Sequence, residues 1–212
     1  MIMEHLVVGP LQVNCFVLGC EATREAVVID PGGNPQAIQE VLARHNLRLV
    51  AILATHAHFD HVLAVDALRE DTHVPFYLHA EDMAVLAAQR SVVQSWLGFD
   101  PGPMPRVDAH LVPGVPFRFG QVELEVAHTP GHSPGSVTLL DRPGTRAFVG
   151  DLIFAEGVGR TDIPGGDFPT LLESIRRVIL TLPDEYTLLP GHGPFTTVGH
   201  ERRYNPFLTT DW

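Results

Sequence analysis

The chain has 212 residues, with 14 basic residues, all arginine, against 25 acidic ones and a formal charge of −11. That size serves one large domain or two small ones, and the acidity disfavours nucleic acid, whose backbone is bound by clustered positive charge. No apolar run approaches the ~20 residues of a membrane helix, and the opening MIMEHLVVGP lacks the features of a secretory leader. Two cysteines, Cys15 and Cys20, are too few for a disulfide framework and suggest a reducing compartment, so the expected setting is cytoplasmic, with no nucleic-acid or membrane partner.

The first segments read as strands, EHLVV, QVNCFVL and EAVVID, separated by Gly, Pro and charged residues. DPGGNP ends the third, with Asn34 as helix N-cap and Pro35 in the first turn. In QAIQEVLARH, Ile38, Val41 and Leu42 share one helical face. The apolar LVAILA is a buried strand that delivers the chain to Thr55. HVLAVDALRE then places Val62, Val65 and Leu68 on a second amphipathic helix. A strand PFYLH and a helix around AEDMAVLAAQR follow. Ser91 and Gln94 suggest a capping box for a further short helix stopped by Gly98, and residues 98–109 form a proline-rich loop. The second half returns to strands, VELEVAHT, SVTLL and RAFVG, then a helix opened by Asp167 and Pro169, then a last strand YTLLP. Two halves of strands and strand–helix units fit an α/β fold of four layers, with helices outside two facing sheets.

The segment THAHFDH, residues 55–61, crowds four metal-seeking side chains together. Residues two apart in an extended segment point the same way, so His56 and His58 can present imidazoles to one ion. Asp60 and His61 come where a helix begins and the backbone turns, aiming them at a second ion. His132 in HTPGHSPGS, Asp151 in FVGDLIF and His192 in LLPGHGP each follow an apolar strand and sit beside glycine. Strand-end loops carry side chains to the rim of a sheet, and imidazole and carboxylate suit zinc and its neighbours. Any one of these residues alone reads as a cap or a surface histidine; seven in four strand-end loops read as a metal centre. His5, His45, His73, His79, His110, His128 and His200 lack such support and read as structural or exposed.

THAHFDH, GHS, GD and PGHG, in this order and with IDPGG near the start, resemble the metallo-β-lactamase superfamily over nearly the whole chain. The resemblance implies a four-layer αβ/βα sandwich in a single domain over 1–212, with a dinuclear site where the sheets meet: His56, His58 and His132 on one metal, Asp60, His61 and His192 on the other, and Asp151 bridging. Asp30 would order the ligand loop. HTPGHSPGS, GRTD, PGHGP and ERRYNPF are most similar to the short, single-domain glyoxalase II-like (hydroxyacylglutathione hydrolase-like) branch. The twenty residues after His192 leave no room for that family's added glutathione-holding domain.

The cofactors implied are two divalent ions, zinc foremost, with iron or manganese as alternatives. Such ions lower the pKa of bound water from roughly 15.7 to about 7, giving a hydroxide that attacks the carbonyl of a small-molecule hydroxyacyl thioester. Their charge also stabilises the oxyanion. A thiol with a pKa of about 8.5 leaves without a strong general acid. Asp60 is the expected catalytic residue, orienting the nucleophile. Arg160 is a candidate clamp for a substrate carboxylate, set against an ion pair with Asp162, and Trp96 and Phe99 are candidate cleft walls set against packing roles. The resemblance also makes the segment near Tyr204 a candidate substrate contact, which no residue pattern of its own supports. Three alternatives remain: a persulfide dioxygenase-like oxidoreductase using one iron on His56, His132 and Asp151, a catalytically idle metal-binding interaction domain, and a lactonase or phosphodiesterase acting at the same site. No oligomeric state is legible.

Overall fold

The computed structural model describes residues 1–70 and 72–209. Strands β1 (Ile2–Val8), β2 (Val13–Gly19) and β3 (Glu25–Ile29) form an antiparallel meander. Helix α1 (Pro35–Arg44) leads to β4 (Arg48–Leu53), which lies parallel to β3. Short helices α2 (Phe59–Val62) and α3 (Val65–Arg69) precede β5 (Phe76–Leu78), and α4 (Met83–Leu97) precedes β6 (Ala109–His110). These six strands make one sheet in sequential order.

The second sheet begins with β7 (Phe117–Phe119), β8 (Val122–His128), β9 (Val137–Asp141) and β10 (Arg146–Gly150), each antiparallel to the last. A small hairpin of β11 (Ile153–Phe154) and β12 (Gly157–Val158) follows, then α5 (Phe168–Ser174). Strand β13 (Thr187–Pro190) pairs parallel with β10, and β14 (Thr196–Thr197) takes the edge. Helices α6 (Val198–Tyr204) and α7 (Pro206–Thr209) close the described chain.

Strand alternation explains the layers. All seven residues of β2 are buried, so each face must meet its own core. Cys15 and Val17 join Val28, Ile38 and Leu68 beneath the helices of the first half. Phe16 and Leu18 face the other way and pack with Val27, Leu53, Leu124, Leu139 and Phe148 between the sheets. On the far side Ala147, Val149 and Leu188 pack beneath Leu171, Ile175 and Val198. Three cores between four layers are the expected αβ/βα sandwich. Among the described residues no helix is long and apolar enough to cross a membrane, and both cysteines are free and buried.

Three local expectations are corrected. Asn34 occupies the N-cap position but in the left-handed conformation without a side-chain cap bond; its Oδ1 instead accepts from Gly9 N at 2.8 Å. Ser91 and Gln94 do not open a new helix. They lie inside α4, where the Ser91 hydroxyl donates back to the Ala88 carbonyl at 2.8 Å, a bond that suits a helix interior. The single helix expected over 61–70 is two, because Ala64 N donates to Pro31 O at 2.9 Å and leaves the helical ladder. Strands β6, β7, β11, β12 and β14 and helix α6 have too few apolar repeats to announce themselves. Asp167 caps α5 as expected, accepting from Thr170 N.

Candidate metal centre

Asp30 ends β3 in the left-handed region at φ 54°, a conformation aspartate tolerates better than most residues. Its Oδ1 accepts from Thr55 N and its Oδ2 from Thr55 Oγ1, both at 2.7 Å. The Thr55 hydroxyl hydrogen is thereby committed, so its oxygen accepts from His56 Nδ1 at 3.2 Å. Asp30 Oδ2 also lies 3.0 Å from His61 Nδ1, in an ion-pair contact. One buried carboxylate thus orients two histidines of the THAHFDH segment. Beneath α2, a Cβ on Gly32 would stand 1.4 Å from the Asp60 carbonyl oxygen. Only glycine allows the DPGG loop to pass so close.

His132 follows β8, and its Nδ1 donates to the Arg160 carbonyl at 2.8 Å. His192 follows β13, and its Nδ1 donates to the Leu11 carbonyl at 3.0 Å. In His56, His61, His132 and His192 the chain holds Nδ1, which leaves Nε2 for the centre; such outer contacts set tautomer and ring direction in metal sites. His58 is the exception, with Nδ1 turned inward, 2.9 Å from His132 Nε2.

The seven side chains converge. His56, His58 and His132 form one donor group and Asp60, His61 and His192 another, the ligand atoms of each lying within 4.8 Å of one another. His192 Nε2 is 3.1 Å from Asp60 Oδ2. Asp151 stands between the groups, Oδ1 3.5 Å from His61 Nε2 and Oδ2 3.6 Å from His132 Nε2.

Burial and the neighbouring imidazoles hold His58 down to about 3 and His56 well below the ordinary histidine range, so both keep a lone pair to donate. Burial also opposes charge on His61, yet Asp60, Asp30 and Asp151 overcome it and push that imidazole up to about 10. The same three carboxylates favour any cation at Nε2. Burial would raise Asp60, but His61 and His192 hold its carboxyl below the usual range.

Among buried polar side-chain atoms, His56 Nε2, both ring nitrogens of His61 and Asp151 Oδ1 have no hydrogen-bond partner, His61 Nδ1 keeping only its ion-pair contact with Asp30. Orphans of this kind are costly and call for a partner, and imidazole nitrogen with carboxylate oxygen is a donor set that zinc, iron and manganese accept. The residues fit a pair of divalent cations.

Two buried residues that the motifs did not mark hold the ligand loops in place. Asp82, fully buried before α4, accepts from Ala57 N at 2.8 Å, Gly135 N at 2.6 Å and Ser133 Oγ at 2.8 Å. It ties the THAHFDH loop to the HTPGHSPGS loop. Asn14 in β2 donates to the carbonyls of Pro190 and Gly193, both at 2.9 Å, on either side of His192. A polar residue inside the apolar VNCFVLG was the available signal for Asn14; Asp82 offered none, since its partners are far away in sequence.

The centre lies at the floor of a cleft of about 590 Å³, lined in part by Asp60, Trp96, Arg160, Ile163 and Pro164. Arg160 faces this cleft, but Asp162 takes two of its N–H groups at 2.8 and 2.9 Å, the ion pair rather than the free clamp. Trp96 lines the cleft, edge-on to Phe59 with ring centroids 6.3 Å apart. Phe99 and Tyr204 are exposed and outside its lining. A further group, His79, Glu81 and His128, sits nearby. One nitrogen of each of its imidazoles is engaged: His79 Nδ1 accepts from Glu81 N, and His128 Nε2 donates to Pro134 O.

Residues 8–192 match the sequence pattern of the metallo-beta-lactamase superfamily. The chain is 39% identical to the Bacillus subtilis protein named "Probable metallo-hydrolase YqgX", covering 97% of this chain and 96% of that one. It is 33% identical to the hydroxyacylglutathione hydrolase GloC of Haemophilus influenzae, over 98% of both. Among solved structures it is similar to the BLEG-1 B3 metallo-beta-lactamase, at TM-score 0.91 and 40% identity over 99% and 100% of the two chains. It is similar to a di-iron-bound form of TTHA1623, at TM-score 0.87 and 41% identity over 97% and 100%. It is also similar to ETHE1 from Myxococcus xanthus, at TM-score 0.81 and 32% identity over 97% and 84%.

Proposed function

The chain belongs to the metallo-β-lactamase superfamily, and from that premise we propose that it is a metal-dependent hydrolase of hydroxyacyl thioesters. The observation that carries this reading is the pair of donor groups with Asp151 between them, their unpartnered atoms buried at the floor of an open cleft. The likeness to GloC supports the thioester.

His56, His58 and His132 would hold one ion, Asp60, His61 and His192 the other, and Asp151 would touch both. When bound, two divalent cations supply Lewis-acid polarisation of the carbonyl and an acidified water. The chain does the rest. Asp30, through Thr55 and His61, fixes the imidazole directions before substrate arrives. Asp60, kept ionised by His61 and His192, lines the cleft and accepts a hydrogen bond from the attacking water, orienting it toward the carbonyl. The leaving thiol departs as thiolate, so the cleft needs no strong acid. Zinc, iron and manganese all suit the donors, and the di-iron relative supports iron as well as zinc.

The test is metal quantification on protein purified without chelator, followed by hydrolysis assays with S-lactoylglutathione and a panel of small thioesters. Two ions per chain and turnover are expected; metal-loaded protein that leaves every thioester intact sinks the proposal. A second reading, oxygen-dependent persulfide oxidation at one iron on His56, His132 and Asp151, takes support from the likeness to ETHE1. One iron per chain with oxygen uptake on glutathione persulfide would favour it.

A further inference from the structure

One wall of the cleft is apolar along most of a helix. Ala84, Ala88, Val92 and Trp96 recur every four residues along α4 and line the cleft as one stripe. Ile163 and Pro164 join them in the lining. Trp96 leaves 57% of its surface exposed, apolar area that a ligand would cover.

Charge points the same way. Glutathione carries two carboxylates, which proteins hold with free cations or dedicated donors. Histidines apart, the cleft's one cationic side chain among the described residues is Arg160, already bound by Asp162 through two hydrogen bonds. The other charged side chain of the lining outside the donor groups is Glu81, an acid. An anionic thiol would meet the carboxylate of Glu81 and only those N–H groups of Arg160 that Asp162 leaves over.

We propose that the substrate carries an uncharged apolar group, aliphatic or aromatic, which lies along the α4 stripe while its scissile carbonyl meets the donor cluster. This rests on the thioester reading for the bond cleaved, but the apolar subsite stands on the cleft wall alone.

The experiment has two arms on the metal-loaded protein. Calorimetry measures binding of straight-chain carboxylates from butanoate to decanoate. Hydrolysis compares one hydroxyacyl group esterified to alkanethiols of rising length and to glutathione. Burial of each methylene predicts affinity and kcat/KM rising about fourfold per carbon until the stripe is covered, with long alkyl thioesters preferred over the glutathione thioester. Ala88→Asp and Val92→Asn, both on the cleft surface and checked for folding by circular dichroism, should flatten the chain-length dependence. Flat or falling binding across the carboxylates, or preference for the glutathione thioester, overturns the inference. If the carboxylates show the rise but no thioester is cleaved, the apolar subsite is supported and the thioester reading falls. If thioesters are cleaved without any length dependence, the apolar inference falls and the thioester reading survives.

Discussion

Asparagine in place of Asp82 tests whether one buried carboxylate holds two ligand loops together. Asp82 Oδ1 receives Gly135 N, and Oδ2 receives Ala57 N and Ser133 Oγ. Asparagine keeps one acceptor oxygen and replaces the other with an NH₂ group that faces a backbone N–H. At least one buried donor is then orphaned, and the remaining bonds lose their charge assistance. An orphaned buried donor costs about 1–3 kcal/mol, and a hydrogen bond to a charged group contributes about 1.5–3 kcal/mol. The expected loss is about 2–4 kcal/mol, which for a chain of this length lowers the melting temperature by about 5–15 °C. The loops that aim His58 and His132 loosen together, so metal affinity should fall about 10–100-fold. Thermal denaturation of chelated and metal-loaded forms, with a competitive metal titration, measures both effects. A variant melting within about 2 °C of the parent, with unchanged metal affinity, refutes the argument that Asp82 sets the loop geometry.

Gly32→Ala should drive Asp60 out of place, because the new methyl would overlap its carbonyl oxygen; the dialysed variant is expected to retain close to one ion per chain rather than two. His192→Ala removes one member of the Asp60 group and should lower thioester kcat/KM by about 100-fold or more, read by steady-state kinetics. Metal-stripped protein should melt lower than loaded protein, since ions present at a thousandfold excess over their dissociation constant contribute about 4 kcal/mol; equal melting curves would contradict binding to the folded state. The stripped protein should also be most stable near the ordinary histidine pKa of about 6.5. Below it, the unfolded chain binds protons that His56 and His58 refuse when folded, so stability falls with falling pH. Above it, His61 keeps a proton that the unfolded chain releases, so stability falls as pH rises toward about 10. Urea midpoints across that range check the shape, and loading with metal should remove the alkaline decline.

Local chemistry made much of this protein legible in one dimension. Unbroken apolar strands such as VNCFVLG and LVAILA need cover on both faces, which already implies layers of helices outside paired sheets. THAHFDH and the glycine-flanked His132, Asp151 and His192 show ligand types that few other roles explain in combination. What the tertiary structure decided is every relation between distant segments. Asp82 looks like an ordinary acid before a helix until Ala57 and Gly135 arrive beside it. Ser91 looks like a cap until an uninterrupted helix runs through it. The apolar stripe of α4 gains meaning only when the loop bearing Ile163, from the other half of the chain, joins it in lining the cleft above the metal ligands. Periodicity and residue type are written locally; hydrogen-bond satisfaction and cleft shape depend on which surfaces the fold brings face to face.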